Sequence, residues 1–366
     1  MHKPLKGLKV LALEQAVAAP FATARMADAG AEVIKIERPE GDFARGYDNA
    51  ANGLSSYFVW LNRGKKSVVL DLTQENDCSK LEQELKTTDI FIQNLRSGVI
   101  SKLGFDLEYL HEVNPKLISC SLSGFGQKGS MVNRKAYDLL IQAETGLASI
   151  TGGVEDAARV GISIVDIATG STAYSACLEA LIQRGVSGKG TRIEVSLFDV
   201  MAEWLTVPLL NHEAGKTPKR MGLAHPSIAP YGVFKTKVGP DILIAVQSER
   251  EWLNFCKVIL SDTSIAGDTK YSSNIARVSN RAQTDKLVTD VLAELTTEEA
   301  IEKLQLADIA FALLNDMEGL STHPCLRRIK IKTENGPISM PAPSAIFNGA
   351  KPVLGGVPSL NIEDNQ

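Results

Sequence analysis

Cysteine is scarce and never grouped. The five cysteines (Cys78, Cys120, Cys177, Cys256 and Cys325) stand singly, with no CxxC pair and no histidine at ligand spacing, which argues against a zinc site and a disulfide framework. A reducing, cytoplasmic setting is expected, with Cys177 in "STAYSACLEALI" packed as a small apolar side chain. Basic residues form no block: Lys and Arg total 39 against 43 Asp and Glu, a formal charge of −4. Electrostatics therefore give no reason to expect nucleic acid or an anionic membrane surface as a partner. No apolar run approaches the roughly 20 residues of a membrane-spanning helix, and the start "MHKPLKGLKVLAL" carries no cleavable leader pattern. Repeats and low-complexity runs are also missing.

What is present is a composition that can bury a real core: 44% apolar and 22% charged residues in a chain of 366, enough for a large domain and a smaller one. "LKVLALE" reads as a buried strand, "PFATARMADAGA" as a helix opened by Pro20, and "EVIKIERP" as the next strand. The alternation continues through "KSVVLDL", "DCSKLEQELKTT", "DIFIQN", "SGVISKL" and "KLISCSLSGF". This pattern predicts an α/β class with a doubly wound, Rossmann-like parallel sheet and ligands at the carboxyl ends of its strands. Residues 1–210 are assigned to this large domain. After a compositional break at "NHEAGKTPKRMGLAHPSIAPYG", a hairpin in "VFKTKVGPDILIAVQ" and the helices that follow predict a smaller α+β domain over 225–315. Residues 316–366, strand-like and rich in proline, are expected to return to the large domain.

The loops after the strands are where chemistry is sought. The first, "LEQAVAAPF", lacks the GxGxxG fingerprint, which counts against an NAD enzyme, although backbone N–H groups at the helix start can still receive a phosphate. Arg38 follows the second strand, where a guanidinium suits a ribose phosphate; the alternative is a surface arginine. Asn62, Arg63, Lys65 and Lys66 precede a strand, either as a solvated loop or as an anion-binding rim. Asn94 ends "FIQN", in position to cap a helix or bond a ligand. "SGFGQKGSMVNRKAYD" is a glycine-rich loop that leads through Arg134 and Lys135 to Tyr137 and Asp138, a combination suited to an anionic ligand with a planar ring. The Gly188-Lys189-Gly190 turn lacks the Walker spacing and is read as a plain turn. In "VGISIVDIATGSTA", Asp166 follows an apolar run and precedes small residues. It is either the N-cap of a helix or a reactive carboxylate, and burial of a lone carboxylate is costly unless something pairs with it.

Together these stretches resemble the family III CoA-transferases, the group that includes formyl-CoA and carnitine-CoA transferases and shares its fold with 2-methylacyl-CoA racemases. The blocks that carry the resemblance are "PLKGLKVLAL…AAPFATARMADAGAEVIKIERPEGD", "LNRGKKSVVLDL", "DIFIQNLRSGVISKLGFDLEYLHEVNPKLISCSLSGFGQKG", "RKAYDLLIQAETG", "GISIVDIATGSTA", "GKGTRIEVSLFDVM" and "HPSIAPYGVFKT", in order, from about residue 4 to 350. The resemblance implies coenzyme A as co-substrate, no metal, and an interlocked homodimer. It makes Asp166, 29 residues past Tyr137, the nucleophile, with the preceding apolar run as a strand that aims it. It places Arg38, Leu70, Asn94, Lys102 and Lys135, with Tyr137 of the Lys-x-Tyr motif, where CoA is held, and Ala16 and Val17 in the loop facing the thioester. Thr73 stands where some relatives carry a basic residue, and "HPSI" replaces the glycine-rich loop of formyl-CoA transferase.

The implied reaction moves CoA from an acyl-CoA, with succinyl-CoA as the expected donor, to a small carboxylic acid through an aspartyl-CoA thioester. The block "EQAVAAPFAT…GDFARGYDNAANGLSSYFVWLNRGKKS" looks most like members acting on C4 and C5 dicarboxylates such as itaconate, mesaconate and citramalate. A second carboxylate calls for a cation, and Arg45, Arg63 and Lys66 are the candidates. Two other readings stand beside this one. A racemase or epimerase of the same fold needs a histidine to move the α-proton, and Tyr137-Asp138 occupies the place of its His-Asp pair. A catalytically silent CoA- or nucleotide-binding protein forms no adduct at Asp166.

Overall fold

The computed structural model describes residues 3–360. Contacts divide them into two units: residues up to Ala148, Arg159–Leu210 and those from Arg327 onward form the first, and Ser149–Ala158 with Asn211–Leu326 the second.

The first unit is built on strands β1 (Lys9–Leu13), β2 (Glu32–Glu37), β3 (Lys66–Val69), β4 (Ile90–Gln93), β5 (Ile118–Ser123) and β6 (Arg192–Ser196). They form one sheet in the order β3-β2-β1-β4-β5-β6, and every pairing is parallel. The helices are α1 (Ala18–Asp28), α2 (Ser56–Asn62), α3 (Glu75–Leu85), α4 (Val99–Lys102), α5 (Leu107–Val113), α6 (Asp138–Glu144), α7 (Leu147–Ile150) and α8 (Ile164–Ser187). A parallel sheet covered on both faces requires strands that are apolar throughout. "VLAL" in β1 and "IFI" in β4 meet that need, and both are buried. The predicted doubly wound order is therefore present, with its topological switch between β1 and β4, where loops diverge to opposite faces and open a crevice.

One face of the sheet carries α1 and α8. Ala18, Ala19, Ala22 and Met26 of α1 pack with Val165, Ala168, Ala173 and Cys177 of α8, and the small side chains let the helices approach closely. At Gly170 an added Cβ would lie 2.4 Å from the carbonyl oxygen of Ala18 and 2.9 Å from Cβ of Phe21. The other face is closed by Leu81, Leu85, Ile100, Phe105 and Leu110. Burying each such side chain stabilises the fold by about 1.5–3 kcal/mol.

Two local expectations are corrected. The apolar run before Asp166 is not a strand: α8 begins at Ile164, with Asp166 as its third residue, because an acceptor from elsewhere in the chain meets the first N–H groups of the helix. Pro20 is not the first residue of its helix but the third residue of α1, still within the turn whose N–H groups have no intrahelical acceptor.

In the second unit, β7 (Tyr231–Phe234), β8 (Ile242–Ala245) and β9 (Ala310–Leu313) form an antiparallel sheet in that order, which includes the expected hairpin. Helices pack on it around Trp252, Phe255, Val288 and Leu292. A further hairpin, β10 (Arg328–Ile331) with β11 (Ile338–Pro341), belongs to the first unit. Among the described residues no helix is long and apolar enough to cross a membrane.

Candidate active site

The loops at the carboxyl ends of β1, β4 and β5 and the start of α8 surround a cavity of about 500 Å³. Its floor is the turn after β1. Ala16 has a positive φ of 62°, a conformation that costs a non-glycine residue about 1–3 kcal/mol and persists only where its surroundings impose it. Here they do. Asn94, at the end of β4, accepts from Gln15 N at 3.0 Å and donates to Gln15 O at 2.8 Å. Ala16 N donates to Asp42 Oδ1 at 3.2 Å. Val17 then opens α1 without a side-chain cap, so the first-turn N–H groups of that helix lack intrahelical partners.

Asp42 is itself fixed from below. Its Oδ2 accepts from Lys35 Nζ at 2.8 Å, its Oδ1 from Ala44 N at 2.9 Å. Lys65 donates to Glu14 at 2.6 Å, as does Thr23. All these charged groups are buried, and the pairing decides their ionisation. For Glu14, burial alone would raise the carboxyl, but Lys65 and Lys35 override it and hold it below the usual range. Burial brings the Lys65 ammonium down to about 8. A buried ion set of this kind is weak evidence for net stability, and its visible effect is to hold the turn that bears Ala16 and Val17.

Asp166 lines the same cavity and is half-buried. The expected alternative, that it caps α8, does not hold: Asp138 Oδ1 accepts from Val165 N at 2.8 Å and from Asp166 N at 3.2 Å. Gln142 fixes Asp138 in turn, donating from Nε2 to Oδ2 at 2.7 Å. The Asp166 carboxyl is thus left for the cavity, and burial, followed by the negative charge of Asp138, raises it from its ordinary 3.8 to about 7. A carboxylate of that basicity is a better nucleophile than an ordinary one. Phe43, Tyr47, Tyr57 and Tyr137 add an aromatic wall, with Tyr47 and Tyr57 edge to face at 5.5 Å. Burial, Asp42 and Asp166 push the Tyr47 phenol up to about 12, so it remains a proton donor.

The structure brings together Ala16, Val17, Asn94, Lys135, Tyr137 and Asp166 around this cavity. Arg38, Leu70 and Lys102 do not line it. Arg38 follows β2 with an exposed guanidinium that donates to Gly41 O at 3.0 Å, Leu70 is buried past the end of β3, and Lys102 ends α4. The three cations considered for a second carboxylate are elsewhere as well. Arg45 grips Glu37 with two bonds and lies 3.8 Å over the Phe58 ring. Arg63 is held by Asp28 and the Trp60 carbonyl. Lys66 pairs with Glu32 at 2.6 Å on the surface. Residues not anticipated include Asp42, Gln142, Tyr47, Tyr57 and Arg159. For Asp42 a signal existed in "PEGDFARG", since Asp before a turn is a favoured cap, and it caps Phe43–Gly46.

A carboxylate in the first turn of α8 thus shares a cavity at the carboxyl end of a doubly wound sheet with Val17 and Ala18 at the start of α1. The chain belongs to CoA-transferase family III, whose profile matches residues 5–361. It is 34% identical to the succinyl-CoA:glutarate CoA-transferase of Mus musculus over 95% of this chain and 82% of that protein. It is 29% identical to the succinyl-CoA:mesaconate CoA-transferase of Haloarcula hispanica over 82% of this chain and 78% of that one. The crystal structure of a CAIB/BAIF family protein from Brucella suis superposes with a TM-score of 0.83 at 32% identity, covering 99% of this chain and 97% of that one.

Proposed function

We propose that this enzyme transfers CoA from succinyl-CoA to a small C4 or C5 dicarboxylate, with Asp166 as the nucleophile. The observation that carries the proposal is a half-buried carboxyl, raised to about 7, that lines one cavity together with the uncapped start of α1. Asp166 attacks the donor thioester carbonyl, forming an acyl-aspartyl anhydride and releasing CoA thiolate. The thiolate attacks the aspartyl carbonyl, giving an aspartyl-CoA thioester and free succinate. The acceptor carboxylate attacks this thioester, and returning thiolate takes the acceptor acyl group and frees Asp166. Each step exchanges one acyl bond for another, so no external energy source is needed, while water must be kept from the anhydride. The aromatic wall serves that exclusion, and the first-turn N–H groups of α1 serve the tetrahedral oxyanions.

The large unit is the CoA-binding one in this reading. Asn94, Lys135 and Tyr137 meet the pantetheine end of CoA, while Arg38, Leu70 and Lys102 meet its more distant parts. Relatives named for glutarate and mesaconate support a dicarboxylate acceptor. Racemisation is disfavoured because, among the described residues, no histidine lines the cavity to move an α-proton. The homodimer expected from the resemblance is part of the proposal, and light scattering of the eluted protein measures it. The deciding assay incubates the enzyme with succinyl-CoA and glutarate or mesaconate and follows the new acyl-CoA by mass spectrometry. Borohydride trapping should add the mass change of a reduced thioester to the peptide that contains Asp166. Undiminished transfer by Asp166→Ala would sink the mechanism.

A further inference from the structure

A dicarboxylate acceptor brings a carboxylate that does not react, and burying it beside Asp166 without a cation would be costly. Arg45, Arg63 and Lys66 are each committed to a carboxylate of their own outside the cavity. Four cations do line it: Arg96, Arg134, Lys135 and Arg159. Arg134 pairs with Glu144 and lies 5.6 Å over the Phe125 ring. Arg96 and Lys135 flank the loops after β4 and β5, on the side proposed for CoA. Like Arg96 and Lys135, and unlike Arg134, Arg159 has no carboxylate within ion-pair distance among the described residues. Its side chain donates from Nη2 to Gly161 O at 3.3 Å, which leaves most of its five N–H donors open to a ligand, and what sets it apart is the tie between its segment and the turn that bears Asp166.

The backbone beside it is tied to the turn that bears Asp166. Val160 N, next in the chain, donates to Gln142 Oε1 at 2.9 Å. The same buried Gln142 donates to Asp138, which holds the first turn of α8 and thus Asp166. One amide therefore ties the segment bearing the cation to the turn bearing the nucleophile, the arrangement needed to hold both ends of a short diacid in register.

We propose that Arg159 is the specificity-determining residue that binds the non-reacting carboxylate of the acceptor, an inference that rests on the dicarboxylate reading above. The test compares glutarate with pentanoate, which has the same chain length and only the reacting carboxylate, in wild-type enzyme, Arg159→Gln and Arg159→Lys. In Arg159→Gln the glutarate KM should rise roughly ten- to hundredfold, the range for removing a charge-assisted hydrogen bond, while the pentanoate KM stays unchanged. Arg159→Lys should recover part of the loss, and succinyl-CoA, whose acyl group carries the same free carboxylate, should show a raised KM in Arg159→Gln. An unchanged glutarate KM in Arg159→Gln, in an enzyme whose wild type prefers glutarate to pentanoate, overturns the role of Arg159. A wild type that handles both acids equally overturns the dicarboxylate reading itself, and this inference with it. Arg159 is exposed, so its substitution leaves the fold intact, and an unchanged melting temperature verifies this.

Discussion

Replacing Asp166 by Asn should abolish transfer and stabilise the protein above neutral pH. The carboxyl binds its proton more tightly in the folded chain, near pH 7, than in the unfolded chain, near 3.8. Between those values the folded state holds the extra proton, so this group makes wild-type stability fall as pH rises, and its full penalty is present above about pH 7. The span of about 3 units, at about 1.4 kcal/mol per unit, sets a ceiling of about 4 kcal/mol. Two effects lower it: solvent reaches a half-buried carboxylate, and the N-terminus of α8 favours a negative charge by about 0.3–1 kcal/mol. A gain of about 1–2 kcal/mol for Asp166→Asn at pH 8 is therefore expected, shrinking towards zero near pH 4. Urea unfolding of both proteins at pH 4.5 and pH 8 measures it, and wild-type kcat/KM should rise through about pH 7 as Asp166, the proposed nucleophile, ionises. A variant less stable than wild type at pH 8, or a stability difference equal at both pH values, would refute the reasoning that burial and Asp138 strain this carboxylate.

Gly170→Ala should destabilise by about 1–3 kcal/mol and lower kcat more than KM, because its Cβ would meet the Ala18 carbonyl at 2.4 Å and part the start of α1 from Asp166. Gly185→Ala in the same helix, with open space around it, should instead stabilise by about 0.5–1 kcal/mol in thermal melts. Asp42→Asn leaves Lys35 buried without its closest carboxylate and should cost about 3–5 kcal/mol, read as a lowered urea midpoint. Arg38→Ala should raise the KM for the acyl-CoA donor and leave that for the acceptor unchanged, and the effect should shrink as salt is added.

The fold was legible because parallel buried strands write themselves as continuous apolar runs. "VLAL" and "IFI" needed no partner to be recognised, and the order of the blocks fixed the rest. The cavity was legible in part. Ala16, Asn94, Lys135 and Asp166 stand next to strand ends or in named motifs, which the topology carries to one edge of the sheet. Arg45, Arg63 and Lys66 sit in equally suggestive stretches, yet their direction is set by carboxylates the sequence does not mark. Asp28 lies 35 positions from Arg63, Glu32 lies 34 from Lys66, and no local pattern links them. Tyr47 and Tyr57 were invisible for the same reason, since an aromatic wall exists only once the loop after β2 and the start of α2 meet.

The cap reading of Asp166 shows why such a role is decided only in three dimensions. Locally, an Asp ahead of "IATGSTA" satisfies every requirement of a helix cap. What removes that role is a competitor 28 residues earlier: Asp138 takes the N–H groups of Val165 and Asp166. A single substitution of roles then has two consequences. Among the described residues no backbone donor holds the Asp166 carboxyl ionised, and it gains a like charge as neighbour. Burial first, and then the Asp138 charge, raise its proton affinity to about 7, where a capping carboxylate would be held ionised by the backbone donors it accepts from. If Asp166 is the nucleophile proposed above, Asp138 tunes it without touching the substrate, and Gln142, which holds Asp138, also accepts from Val160 N beside Arg159. In the first unit, the bonds that cap α8 are the same ones that place a negative charge beside Asp166.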